Sequence, residues 1–330
     1  MKNHLKEASA FAPINIALCK YWGKRDENLN LPMTDSLSLS VPSLGTTTKI
    51  SFAEDKDTII FNHQLLNDHS DFKKRLIHFL DLFRPARIKF KIETYNNIPT
   101  ASGLASSASG FAALTLALKQ LLDWNFSLKE LSMIARLGSG SACRSVFQQG
   151  FVHWHAGIDL DGKDSFAENL KTVWSELCLG FVFIDDQKKN ISSREAMKRV
   201  VETSSLYSSW HLQVKKDLNY LFDAMEKKDF EQFGQTAENN CLVMHACLLA
   251  ANPPIIYWKT ETFMVMERVR RIRQAYFPLY FTIDAGHQVV LLFLADHEEE
   301  VKILFPKIFI VKPFDKRDIH VVCYSSERTR

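Results

Sequence analysis

Pro99-Thr100-Ala101-Ser102-Gly103-Leu104-Ala105-Ser106-Ser107-Ala108-Ser109-Gly110 is a run of small and hydroxylated residues between two segments of opposite character. Before it, Arg87-Ile88-Lys89-Phe90-Lys91-Ile92-Glu93 alternates charged and apolar residues, the period of a half-buried strand. After it, Phe111-Ala112-Ala113-Leu114-Thr115-Leu116-Ala117-Leu118 reads as a buried helix. A strand, a Gly/Ser loop and a helix start make an anion cradle, because unpaired N–H groups and the positive dipole end face the loop. Ser102, Ser106 and Ser107 add donors or an Mg²⁺ ligand, and Gly103 lets the backbone approach a phosphate. The Walker pattern is absent, since no Gly-Lys-Ser/Thr closes the loop. A small-residue helix start that simply packs tightly is the other reading of the stretch.

Working outward, the 330 residues suffice for two domains sharing an interface, or for one large one. A net charge of +3, with no basic block, gives no reason to expect nucleic acid or a membrane surface as partner and points to a small molecule. Six cysteines lack any C-x-x-C pair, and the start Met1-Lys2-Asn3-His4-Leu5-Lys6 has no apolar export segment. Reduced thiols and a cytoplasmic location are the expectation. Leu104 to Leu118, the most apolar run, is too short and serine-rich to span a bilayer.

Upstream, Ala12 to Cys19 is strand-like and runs into Lys20-Tyr21-Trp22-Gly23-Lys24-Arg25-Asp26, either a cationic loop facing a cleft or a solvated basic loop. Ser36–Val41, Thr47–Phe52 and Asp57–Phe61 read as strands, with Asn62-His63 as a hairpin turn. Ser70 caps an amphipathic helix whose Lys73-Lys74-Arg75 run is a solvated face or the border of an anion site.

Downstream, Ser127-Leu128-Lys129-Glu130 is a capping box for a helix that stops near Gly138. Gly138-Ser139-Gly140-Ser141-Ala142-Cys143-Arg144-Ser145 follows as a second small-residue loop entering a helix. Two such elements suggest two anionic groups in one cleft. Arg144 suits a carboxylate or phosphate by its bidentate fork, or else forms a structural salt bridge; the helix dipole disfavours a cation there unless an anion compensates. His153 and His155 share a strand face, but without a further ligand-spaced His or Cys they read as surface or core histidines. The polar loop Asp185 to Asn190 places the domain boundary near residue 185, giving 1–185 and 186–330. Ser192-Ser193-Arg194-Glu195 opens another helix with anion-binding character. Helices over Ser192–Ser205, Trp210–Lys227, Phe230–Ala250 and Thr260–Tyr276 then lead to strands Leu279–Ile283 and Gln288–Leu294, and a helix around Asp296–Phe305 with strands near Phe309 and Val321 closes the chain. Asp284-Ala285-Gly286 joins these strands, its aspartate either a turn former or a cleft residue.

Asn15-Ile16-Ala17, Lys20 to Asp26, the Pro99–Gly110 loop, Gly138 to Arg144, Ser192-Ser193-Arg194, Met244-His245-Ala246, Pro253 to Trp258 and Asp284-Ala285-Gly286 occur in one order. In that order they resemble the mevalonate diphosphate decarboxylase family of the GHMP small-molecule kinases. The resemblance implies an α+β, two-domain architecture: an N-terminal ATP-binding domain of mixed strands and helices, a helix-rich C-terminal domain, and the active site between them. It implies ATP-dependent decarboxylation of mevalonate 5-diphosphate to isopentenyl diphosphate, with ADP, phosphate and CO₂ released, and a homodimer. Asp284 and Arg144 are the implied catalytic pair, with Arg144 the expected cation beside Asp284. Tyr21, Lys24, Ser139, Gly140, Ser141, Arg144, Ser193 and Arg194 would hold the substrate. Asn97, Pro99, Ser102, Gly103, Leu104, Ala105, Ser106, Ser107 and Lys188 would hold ATP, with Ser106 at Mg²⁺. The chain departs from the family where His287-Gln288 follow Asp-Ala-Gly in place of Pro-Asn, and where Val146-Phe147-Gln148-Gln149 follow Arg144 in place of a Gly-rich segment. These departures keep a kinase, or a decarboxylase of mevalonate 5-phosphate, as the alternative.

Overall fold

The structure, a computed structural model, describes residues 6–85, 88–97, 106–184 and 189–315. The first half runs β1 (Glu7–Cys19), β2 (Lys24–Asp26), β3 (Leu31–Pro32), β4 (Ser36–Ala53), β5 (Thr58–Phe61), β6 (Gln64–Leu65), α1 (Asp71–Asp81), β7 (Lys89–Asn96), α2 (Ser106–Leu121), α3 (Leu128–Gly138), α4 (Ala142–Ser145), β8 (Phe151–Trp154) and β9 (Ala167–Asn169). The second half runs β10 (Leu177–Val182), α5 (Ser193–Thr203), α6 (Trp210–Lys227), α7 (Phe230–Leu249), α8 (Thr260–Ala275), β11 (Tyr280–Thr282), β12 (Val289–Leu294), α9 (Glu298–Leu304) and β13 (Phe309–Val311).

The period-2 pattern behaves as expected in β7, where Phe90, Ile92 and Thr94 are buried while Lys91 and Tyr95 are exposed. α2 buries Phe111, Ala112, Ala113, Leu114, Ala117 and Leu118, small enough in part to let the helix lie close on β1 and β4. Ser70 and Ser127 cap α1 and α3 through their hydroxyls, and Ser127 with Glu130 forms the full capping box. Asn62 and His63 both take positive φ in the β5–β6 turn, as the hairpin reading requires.

One expectation changes. Ser36–Val41 and Thr47–Phe52 are parts of a single 18-residue strand, β4. Pro42 and Gly45 look like breakers, but β1 absorbs them: its register jumps between Pro13 (opposite Gly45) and Ile14 (opposite Val41). β4 therefore pairs with β1 along one edge. On the other edge its C-terminal half pairs with β7 and its N-terminal end with β8. This strand organises the larger sheet, ordered β6-β5-β7-β4-β8-β9 with β1 on β4. The smaller sheet is β11-β12-β10-β13, and β2 and β3 form a separate ribbon. Because β10 pairs with β12 and β13, the sheets change over between Asn169 and Leu177, ahead of the division expected near 185. The strand expected near Val321 lies outside the described residues. The larger of two apolar cores runs through both halves, and Lys20 at the end of β1 bonds to Thr282 beside the turn at Asp284.

Candidate active site

Between the two sheets lies a cavity of about 470 Å³, and the sequence-expected residues Tyr21, Lys24, Ser107, Ser139, Gly140, Ser141, Arg144, Ser193, Arg194 and Asp284 all line it. Ile16, Ala17 and Lys20 bring the end of β1 to its floor, and Thr282 to Val290 bring the β11–β12 turn.

Lys20 is a cavity residue that the sequence reading did not assign to the site. Its side chain is 2% exposed, and Nζ donates to Asp284 Oδ1 (2.6 Å), Thr282 Oγ1 (2.7 Å) and Ala17 O (2.7 Å). Three acceptors saturate an ammonium's three N–H groups. The rotamer of Asp284, 36% exposed toward the cavity, is thereby fixed. The Asp284 carbonyl also meets His245 Nε2 at 3.2 Å. Burial first, and the Lys20 charge second, push that imidazole down to about 3, so it stands neutral.

The cation hydrogen-bonded to Asp284 is therefore Lys20, while Arg144, the cation expected beside Asp284, acts on it by charge without a bond. Arg144, 3% exposed, donates to Asn15 Oδ1 at 3.2 Å and to Ser36 Oγ. Asn15 in turn donates to Ser145 Oγ at 2.7 Å, which locks the α4 turn onto β1. Arg144 makes no ion pair with a carboxylate among the described residues, so the salt-bridge reading does not hold. Burial holds its guanidinium below the ordinary range, against an opposing pull from nearby groups that include the Asp284 carboxylate.

The opposite wall is also cationic. Lys24 Nζ is held by Asn30 Oδ1 at 2.8 Å, and Asn30 Nδ2 is anchored on the Arg136 and Leu137 carbonyls, both at 3.0 Å. Burial and then Arg194 lower both Lys24 and Arg75. Arg75 thus borders the anion site, the second of the two readings of its run. Burial lowers Lys189 as well. In all, six cationic side chains (Lys20, Lys24, Arg75, Arg144, Lys189, Arg194) face two carboxylates, Asp71 and Asp284. Such an excess suits a multiply charged anion. Tyr21 Oη and Trp22 Nε1 are buried without a hydrogen-bond partner among the described residues, which leaves polar groups for a ligand to satisfy.

Hydroxyls join the two small-residue loops: Ser107 Oγ lies 3.4 Å from Ser139 Oγ, which lies 3.5 Å from Ser141 Oγ. Ser106 opens α2, so the helix N-terminus and its positive dipole end reach this rim. Pro99, Ser102, Gly103, Leu104, Ala105, Lys188 and the Ser106 side chain lie outside the described residues. Asn97 does not line the cavity; its side chain accepts from Gly45 N (2.7 Å) and donates to Ser43 O (2.8 Å), bracing the irregular part of β4. His287 and Gln288, the departures after Asp-Ala-Gly, are buried cavity residues, and Gln288 Oε1 accepts from Ile184 N at 2.6 Å.

Two family models match this chain: the diphosphomevalonate decarboxylase-like N-terminal domain over residues 12–167, and the mevalonate 5-diphosphate decarboxylase C-terminal domain over residues 181–327. The chain belongs to the diphosphomevalonate decarboxylase family. The diphosphomevalonate decarboxylase of Candida albicans is 36% identical over 323 residues, covering 92% of this chain and 88% of the relative. A solved complex of MDDEF with MVAPP, AMPPCP and magnesium matches at 41% identity and TM-score 0.87, covering 93% of this chain and 97% of the other. A structure concerned with mevalonate diphosphate mediated ATP binding, of the mevalonate diphosphate decarboxylase from Enterococcus faecalis, matches at 40% and 0.86 over 93% and 97%. The fold is that of this decarboxylase family, with mixed helix and sheet in two parts. The chain is an ATP-dependent carboxy-lyase acting on mevalonate diphosphate in the mevalonate pathway.

Proposed function

We propose that the chain performs this reaction with Asp284 set against the substrate's 3-hydroxyl, Lys20 fixing that aspartate, and Arg144 holding the carboxylate that leaves as CO₂. The supporting observation is the saturated Lys20–Asp284 pair on the floor of a cavity with four more cations than carboxylates. Mevalonate 5-diphosphate carries its charge at two ends. Lys24, Arg194 and Arg75 suit the diphosphate, with Tyr21, Ser139, Gly140, Ser141 and Ser193 as the polar lining. Arg144 lies on the side of Asn15 and Ser36.

The γ-phosphoryl group of ATP passes to the 3-hydroxyl, whose proton Asp284 accepts or orients. The C3–O bond to the new phosphate then breaks and positive charge grows at C3. The electron pair of the C1–C2 bond becomes the C2=C3 double bond as CO₂ leaves. The Asp284 carboxylate stabilises the charge at C3 electrostatically, while Arg144 holds the carboxylate in line. No covalent enzyme intermediate is needed.

ATP is assigned to the Pro99–Ser109 loop with Ser106, Ser107 and Lys188, at the start of α2. The hydroxyl oxygens there suit Mg²⁺, which takes hard oxygen ligands and, when bound, neutralises phosphate charge. Of the ATP assignments, Ser107 is supported by its place in the cavity lining. A homodimer and a cytoplasmic location complete the reading. Free thiols at Cys19, Cys143, Cys178, Cys241 and Cys247 support a reducing compartment, and sedimentation would count the subunits.

The test follows ADP and CO₂ together with ATP, Mg²⁺ and mevalonate 5-diphosphate. Equal release is expected from the native chain. Asp284→Ala should lower turnover by at least about 10²-fold with nucleotide binding retained. Near-native turnover in that variant would remove Asp284 from the mechanism.

A further inference from the structure

We propose that Asp35, His153 and His155 bind one divalent transition-metal ion of the zinc type, at a site outside the reaction cavity. One ligand atom from each residue lies within 4.8 Å of the others. Nitrogen and oxygen ligands of a tetrahedral Zn²⁺ stand about 3.3 Å apart, as bonds of about 2.0 Å dictate, so small rotamer shifts close the site. None of the three residues lines the substrate cavity.

The donors are positioned by backbone pairing. His153 lies in β8, and His155 follows two residues later on the same side, their rings 4.1 Å apart. His153 is opposite Leu37 of β4 and opposite Glu168 of β9, and His155 N continues that pairing to Phe166 O. Asp35 immediately precedes β4. Its Oδ1 accepts from Ala156 N at 2.7 Å, and its Oδ2 lies 3.0 Å from His153 Nε2. His153 is 8% exposed and packs edge-on to Phe222 at 5.2 Å, which shields one side of the site. Asp35 (35%) and His155 (32%) keep it open to solvent, where water completes the coordination. Glu168 Oε1, 2.7 Å from His155 Nε2, brings a second carboxylate to the rim.

Two imidazoles and a carboxylate favour a borderline ion such as Zn²⁺ over the hard Mg²⁺ of phosphoryl transfer. Occupancy would clamp the start of β4 to β8. Ser36, next to Asp35, is the residue whose Oγ supports Arg144. The metal would therefore act as a brace behind the active site, without touching the substrate.

The test titrates Zn²⁺ into chelator-treated full-length protein in excess Mg²⁺ by calorimetry, and Co²⁺ by visible absorption. Expected are one Zn²⁺ per chain, a raised Tm with Zn²⁺, and Co²⁺ bands of low-symmetry, four-coordinate type without a thiolate charge-transfer band. Asp35→Asn and the half-exposed His155→Gln should each weaken binding by about 100-fold or more. No saturable binding, binding that survives both variants, or a thiolate band would each overturn the proposal. In the last case the metal sits on cysteine. In the first, the residues are two ordinary His–carboxylate pairs.

Discussion

His245 shows how much a single buried side chain can impose on this protein. Its ring lies tilted against Trp258, with centroids 4.5 Å apart, and its Nε2 sits against the carbonyl of Asp284. Burial, then Lys20, takes its pKa from 6.5 to about 3. Between those values the unfolded chain binds a proton that the folded chain refuses. Stability is therefore full above about pH 6.5 and falls as the pH drops toward 3, by on the order of a few kcal/mol. Thermal melts should show His245→Asn less stable near neutrality but with a flatter slope from about pH 6.5 to 4. Parallel acid-induced losses in the two proteins would assign the slope to other groups.

At the scale of elements, the turn from α3 into α4 shapes the cavity lining. α3 ends at Gly138, Ser139 is extended, and four residues of α4 then aim Arg144 across β1. At Gly140 an added Cβ would come within 2.7 Å of Tyr21 Oη and 2.9 Å of its ring, so backbone and phenol are in direct contact there. Gly140→Ala should push Tyr21 into the cavity. The expected outcome is a KM for mevalonate 5-diphosphate raised about tenfold or more, about 1.4 kcal/mol, with the ATP KM much less affected. Steady-state kinetics with each substrate varied would check it, and equal rises in both KM values would point to a general disturbance.

Across the whole molecule, the active site is an electrostatic convergence. α1 contributes Arg75, the end of β1 Lys20, β2 Lys24, α4 Arg144 and α5 Arg194. No two of these are neighbours in sequence. Burial and mutual repulsion depress Lys24 and Arg75, a cost that a bound polyanion relieves. Arg75→Gln should therefore raise the KM for mevalonate 5-diphosphate about tenfold with little change in kcat. The KM rise with added salt should also be smaller in the variant, because one of the screened charges is gone. An unchanged KM would put Arg75 back among solvated surface residues.

Local chemistry in the chain determined the helices and most of the strands. The alternation in β7, the Ser127 capping box and the bounds of α6 depend on neighbours within a few residues, and these the sequence displays. It also displayed the small-residue loops and the Asp284 turn, and the resemblance to the family pointed to most of the residues that line the cavity. Only the tertiary structure decided that Lys20 is Asp284's partner, since the two are 264 positions apart and meet through the packing of β1 against the β11–β12 turn. The same holds for the continuity of β4, which needs β1 to shift register opposite Pro42 and Gly45, and for Asp35 completing a cluster with His153 and His155. Contacts of that range come from strand pairing and core packing, and no periodicity along the chain encodes which distant residue arrives.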